Sequence, residues 1–427
     1  MEKAIAKIYA VVAAVVIIIA LVAGGMYYYL SIPGQVVEKT PIRIGFSQPL
    51  TGSLGAGGQA TLLSLKIWAE DVNAKGGLLG RPIELVYYDD HSNPADTAAI
   101  YEKLIGVDKV DLILGPYATI PTVAALPIAM KYNRTLISVF ATYANEAYHY
   151  PYYFSVMFAG PKLTDWSIGF CEIVNSVLQR PTVAVVAIAN EVGDKISRGF
   201  KENCKNYGFN IIYETSYPPT TADFTSVLLP VKAANPDVVF FVSYPTDSVG
   251  LIKAAKEIDL RPKIIGGSMT GLQYAFNQLT LGKTLNGVII HHSWIPAPAL
   301  MFNGTAEFIS KYQALAPTYG VDPLGYYLAP WSYSAGQVLQ QAVEATGSLD
   351  QKIIGEYIRT HKFQTIVGEL EFDPASGELK ESKLLYIQFQ GLTRGDLLDF
   401  TGPTHLKVLY PPKYKSGDLI FPFPGWD

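Results

Sequence analysis

Only two cysteines, Cys171 and Cys204, occur in 427 residues. That excludes a disulfide framework: either the two pair in an oxidising compartment, or they are buried free thiols. Charge is also sparse. Asp, Glu, Lys and Arg make up 16% of the chain, against about 25% in average soluble chains. The net charge of −4 comes without a long basic block, which argues against nucleic acid as a partner. P-loop, nucleophile-elbow and zinc-helix patterns are missing. Histidines number 6, and the adjacent His291 and His292 lack further ligand spacing, so no metal site is expected. His91, beside a strand end, is the one candidate base for a hydrolase, and it has no nucleophile motif to act on.

What is present begins with an anchor. Ile8 to Leu30 carries no charge, and a stretch of ~20 apolar residues crosses a bilayer. Cleaved signals have a shorter apolar core of ~7–15 residues, so residues 1–30 read as a retained helix, although Ala20–Gly25 offers a cleavage site. Lys3 and Lys7 should stay cytoplasmic, which places the body outside after a linker at 31–41. No cysteine follows the apolar run closely, so a lipid-anchored terminus is not expected.

Residues 49–60 read PLTGSLGAGGQA and contain a G-x-G-x-x-A pattern. A dinucleotide site needs the first glycine directly after a strand. Here Ser47 to Leu54 intervene, and no ribose-binding acid falls at the expected spacing. A cofactor is therefore excluded. The glycines, with Ser53, Gly55 and Gly57 as loop positions, are expected to line a cleft wall where side chains would obstruct a ligand.

After Pro41, short apolar runs alternate with amphipathic ones. Strands are expected at Ile42–Phe46, Ile83–Tyr88, Leu112–Leu114 and Leu136–Val139, with helices at Ala60–Lys75 and Pro94–Ile105. The second helix has Asn93 as its cap. The rhythm recurs with strands at Thr182–Ile188, Asn210–Tyr213, Val238–Val242 and Lys263–Ile265. Ala95-Asp96 and Ala222-Asp223, Tyr117 and Tyr244, Thr119 and Thr246, and Ile137 and Ile264 all align at one offset of ~127 positions, the period of an internal repeat. Two similar α/β lobes with parallel sheets follow. Ligands of such sheets bind beyond the carboxyl ends of the strands, so facing lobes would enclose a cleft.

Thr119 stands at a helix start, where a hydroxyl and unpaired N–H groups make an anion site; the plainer role is to cap that helix. Thr142 follows the fourth strand and offers a second hydroxyl, or a local turn bond. Two hydroxyls converging on one carboxylate is the sharper expectation. Tyr244 ends a strand of the second lobe, where its ring either covers a ligand or packs on a loop. Glu191 lies at a strand end facing cleft or solvent, and Asp247 reads as a helix cap.

The stretches Ile42-Arg43-Ile44-Gly45, Pro49-Leu50-Thr51-Gly52, Asp71-Val72-Asn73-Ala74-Lys75-Gly76-Gly77 and Tyr88-Asp89-Asp90 resemble leucine/isoleucine/valine-binding proteins. These are the substrate-binding components of branched-chain amino-acid ABC transporters. The likeness runs from Ile42 past Gly377. It implies a type I periplasmic-binding-protein fold, with two doubly wound lobes joined by three hinge crossings. Lobe one takes residues 42–156 and 293–363, and lobe two takes 157–292 and 364–427. Hinges are expected near Ser155–Pro161, Ile290–Pro296 and Gln364–Gly368. The family's carboxylate hydroxyls fall on Thr119 and Thr142, with Ala118 beside them, its ammonium-binding carbonyl on Phe140, and its second-lobe aromatic on Tyr244. Val192 replaces a family tyrosine, Ser268 (or Met269 if the loop shifts) replaces the acid that pairs with the ligand ammonium, and Ser92 and Ala118 replace a cysteine pair of some members. A buried ammonium without its acid costs ~3–5 kcal/mol. Unless Glu191 or Asp247 reaches in, the cleft should disfavour α-amino acids. With the apolar run as tether, the resemblance implies a non-enzymatic receptor for a small carboxylate- or amide-bearing solute, branched-chain amino acids being the default class. ABC permease and ATPase subunits would be its partners. The alternative is a sensory ectodomain acting with a separate signalling protein.

Overall fold

The apolar run at Ile42 becomes β1 (Ile42–Gln48), buried on nearly every residue, as a central parallel strand covered on both faces must be. The computed structural model describes residues 1–31, 40–245 and 247–426; Thr246, which the repeat pairs with Thr119, lies outside the described residues, as does most of the expected linker. The chain divides into two units, Met1–Thr40 and Pro41–Asp427. The first holds α1 (Glu2–Ser31). Its segment Lys3–Met26 has a mean hydropathy of 2.8 and is long and apolar enough to cross a membrane.

In the body, β1 is followed by α2 (Gly55–Ala74), β2 (Ile83–Asp89), α3 (Pro94–Gly106), β3 (Leu112–Ile113), α4 (Thr119–Lys131), β4 (Leu136–Val139) and β5 (Tyr153–Val156). Asn93 caps α3 through its side chain, as its sequence indicates. Strands pair in parallel in the order β2-β1-β3, and β4 pairs with β5. The Gly115 N–H donates to Ile137 O at 2.7 Å and Tyr117 bridges Val139, so the two pieces run on as one sheet. The chain then builds α5 (Ile168–Val177), β6 (Thr182–Ile188), α6 (Glu191–Tyr207), β7 (Asn210–Tyr217), α7 (Thr225–Ala234), β8 (Val238–Ser243), α8 (Ser248–Glu257), β9 (Ile264–Met269), α9 (Ala275–Leu281) and β10 (Ile289–His292). These strands pair β7-β6-β8-β9-β10, the same order as β2-β1-β3-β4-β5. The repeat in sequence is a repeat in topology.

After β10 the chain returns to the first sheet with α10 (Thr305–Tyr319), α11 (Ala329–Thr346) and α12 (Gln351–Thr360). Helix α11 packs on α2, and Gly336 of α11 lies against the ring of Trp68. A hairpin, β11 (Lys362–Thr365) and β12 (Gly368–Glu371), follows. It stays with the first lobe: Gln341 of α11 donates to Gln364 O at 2.9 Å, and Phe372 packs on Phe154 at 5.3 Å. The third crossing therefore follows Phe372 rather than lying at Gln364–Gly368. β13 (Leu385–Phe389) and β14 (Leu406–Tyr410) then extend the second sheet, antiparallel. Cys171 of α5 and Cys204 of α6 are buried free thiols.

Candidate functional site

Past β3 the chain makes a strained turn before α4. Ala118 has a φ of 76°, costly for a residue with a Cβ. It is held by its N–H to Val139 O at 3.1 Å and by the Thr122 hydroxyl, which donates to Ala118 O at 2.8 Å. Gly115 permits the approach, since a Cβ there would come within 2.7 Å of Ser138 Cα. The turn aims the N-terminus of α4, with its unpaired N–H groups, at the loop after β4. Phe140 in that loop also has positive φ, 53°. Its carbonyl accepts no hydrogen bond among the described residues. Two residues on, the Thr142 N–H donates to Thr119 Oγ1 at 3.0 Å, and the Thr119 hydroxyl faces Thr142 O at 3.4 Å. The structure thus brings together Ala118, Thr119, Phe140 and Thr142.

The opposite wall comes from the ends of β8 and β9. Burial pushes the Tyr244 phenol well up, and neighbouring Tyr117 of the first lobe adds to the shift, followed by Asp247 and Glu191. Tyr274 and Tyr327 pack edge to face at 5.0 Å, and Tyr327 packs on Phe140 at 5.2 Å. Tyr117, Tyr274 and Tyr327 were not distinguished as wall residues by the sequence, because no periodicity marks side chains that meet across lobes. Ser268 on β9 is 1% exposed and its hydroxyl has no partner among the described residues.

Three expectations change. Gly55 and Gly57 are not cleft-lining loop positions but lie in the first turn of α2, which starts before Ala60; only Ser53 stays in an exposed turn. A Cβ on Gly57 would collide with the Tyr117 ring, and one on Gly58 with Pro49 O. The glycines therefore make room for protein atoms. Glu191 is 79% exposed, and its carboxylate is taken by Lys195 at 3.1 Å. Asp247 does not cap α8 with its side chain. It is buried, and accepts the Tyr217 phenol at 2.6 Å. Burial raises its pKa, opposed by that bond and by nearby backbone N–H groups.

His91 is exposed and sits between Asp89 and Asp96, at 3.6 and 3.2 Å. His291 and His292 are buried in β10, His291 against Phe158, Trp166 and Gln273, and His292 accepting the Trp294 N–H at 3.3 Å. Among the described residues no group of three His, Cys, Asp or Glu could hold a metal. A cavity of about 540 Å³ lies beside α6 between Glu191, Ser197 and Glu214. A second of about 260 Å³ is lined by Tyr143, Asn145, Glu146, His149 and Glu378. Neither is lined by Thr119 or Tyr244.

Residues 41–388 match the sequence profile of the periplasmic binding protein family. An amino acid binding protein of Pseudomonas aeruginosa is 25% identical over 343 residues, covering 79% of this chain and 87% of its own. A Leu/Ile/Val-binding protein homolog of Brucella abortus is 26% identical over 348 residues, covering 74% and 80%. Among solved structures, the branched-chain amino acid transporter substrate binding protein of Streptococcus pneumoniae, in complex with isoleucine, superposes with a TM-score of 0.70 at 20% identity, covering 87% of this chain and 100% of that one. An ABC-transporter solute binding protein of Rhodopseudomonas palustris, in complex with 3,4-dihydroxybenzoic acid, gives 0.70 at 21%, covering 83% and 94%. With that match spanning both lobes and the doubled strand order, the chain belongs to the periplasmic binding protein family, with the two-lobed type I fold.

Proposed function

We propose that this chain captures a small carboxylate-bearing solute between its lobes and hands it to an ABC permease, with α1 holding it at the outer face of a membrane. The observation that carries the reading is the meeting of Thr119 and Thr142 at the N-terminus of α4. Such a helix end favours anions, and each charge-assisted bond contributes about 1.5–3 kcal/mol. Tyr244 and Tyr117 supply an aromatic cover for the rest of the solute. The ligands in the complexes of the two solved relatives, isoleucine and 3,4-dihydroxybenzoic acid, share a carboxylate.

Ser268 supplies no charge where the resemblance expects an acid, and Glu191 turns outward to Lys195. The ammonium of an α-amino acid would depend on the Phe140 carbonyl and on Asp247, one of whose oxygens is already bound by Tyr217. The cleft accordingly favours carboxylates without a buried cation. Calorimetric titration of the purified chain with leucine, 4-methyl-2-oxopentanoate and 3,4-dihydroxybenzoate tests this. Binding of the last two ahead of leucine, weakened by Thr119→Val, is expected. No binding by any of them, or binding indifferent to Thr119→Val, defeats the reading.

A further inference from the structure

The loop that carries Thr142 is held from two directions. On the first-lobe side, the Tyr143 N–H donates to the Glu378 carboxyl oxygen, and the Asn145 side chain donates to Tyr150 O at 3.0 Å and Ser376 O at 3.1 Å. Glu378 and Ser376 belong to the third crossing, so the loop is tied to a hinge. On the other side stands Lys195, in the second turn of α6, a second-lobe helix. Its Nζ lies 2.7 Å from Glu146 Oε2 and 3.1 Å from Glu191 Oε1. It also lies 4.9 Å from the centre of the Tyr143 ring. Glu146 and Tyr143 are both loop residues.

Most surface lysine pairs contribute little, because water screens them and the long side chain must be ordered. Lys195 differs at its own end, while Glu146 and Glu191 are exposed at 69% and 79%. The lysine side chain is only 13% exposed, and an aromatic face and two carboxylates define where its ammonium sits. Burial alone would push its pKa down, but the two carboxylates reverse that and push it up; Glu146 moves down in response, chiefly through the Lys195 hydrogen bond. Glu146 is otherwise exposed, so the contact costs it little desolvation.

We propose that Lys195 is a positioning residue by which the closing second lobe sets the Thr142–Glu146 loop, bridging to Glu146 and covering Tyr143. The proposal rests on the reading of Thr142 as a ligand residue, but the bridge is made by protein side chains alone. Closure and the shape of the anion site are then one event. Rotation of α6 away from the first lobe removes the ammonium, and Tyr143 loses its cover next to Thr142. Glu191 holds the lysine from its own helix, i to i+4, and does not itself span the lobes.

Amide hydrogen exchange on the solute-free full chain tests the bridge apart from ligand binding. In Lys195→Met, amides 142–146 are expected to exchange about fivefold faster or more, the effect of losing roughly 1 kcal/mol of local protection. Those of β8 should stay at the wild-type rate. Glu146→Gln, a change at an exposed position, should reproduce the effect, and it decides the matter if Lys195→Met fails to fold. Glu191→Gln should leave the loop protected. Unchanged exchange in Glu146→Gln overturns the proposal. So does equal loosening by Glu191→Gln, which would place the effect within α6. Failure of the calorimetric titration with this exchange pattern intact would reject the solute assignment and leave the bridge standing.

Discussion

The Thr142 N–H and the Thr119 hydroxyl lie 3.0 Å apart, joined across 23 positions of sequence. One side chain therefore has two tasks. Its oxygen accepts a backbone N–H of the neighbouring loop, and the same group stands at the helix end proposed to receive the solute's carboxylate. Thr119→Val removes the acceptor and leaves a buried N–H unpaired, at a cost of about 1–3 kcal/mol. Urea denaturation should show that loss. Thr119→Ser, which keeps the hydroxyl, should recover most of it.

Gly57→Ala should destabilise the chain by about 1–3 kcal/mol through overpacking, because the new methyl meets the Tyr117 ring, with Leu328 at 3.0 Å on its other side. The double variant Gly57→Ala/Tyr117→Leu should regain part of the loss, which a thermal melt can follow. A full additive loss would show that the ring is not the obstacle.

Glu378 is 3% exposed. Burial pushes its carboxyl up to about 8, opposed by the Tyr143 N–H and Lys195 and reinforced by Glu146 and Asp165. In the unfolded chain it ionises in the ordinary range. Its contribution to stability is therefore complete below about pH 4.5 and is lost as pH rises through about 8. The full span is on the order of 5 kcal/mol. Glu378→Gln, which keeps an acceptor for Tyr143, should flatten that decline in denaturation curves taken between those limits.

His291 and His292 act with the opposite sign. Burial pushes each imidazole down to about 3, and His291 lowers His292 further. The folded chain keeps them neutral while the unfolded chain takes up protons. Stability is complete above the ordinary histidine range of about 6.5 and is lost as pH falls toward 3. His292→Asn should reduce the number of protons taken up on acid unfolding by about one, read from the slope of melting temperature against pH. An unchanged slope would refute the assignment.

Much of the fold was legible because a buried parallel strand and an amphipathic helix advertise themselves locally. Strands at Leu136–Val139 and Thr182–Ile188 form where their apolar runs lie. The start of α2 was misread because glycine is a poor helix former, and only the neighbouring Tyr117 ring and Pro49 carbonyl explain why glycines occupy that turn. The third crossing was misplaced because the hairpin at Lys362–Glu371 shows nothing in its own residues of which lobe it packs on; Gln341 and Phe154 decide that.

By itself the sequence determined two copies of one α/β pattern and the loops at the carboxyl ends of their strands, next to which Thr119 and Thr142 lie. Only the tertiary structure decided that Glu191 is occupied by Lys195, that Lys195 spans to Glu146, and that Glu378 is sealed behind Tyr143. The physical reason is range. Periodic burial is a property of neighbours along the chain, whereas the partner and the desolvation of a charge depend on which distant surfaces close over it.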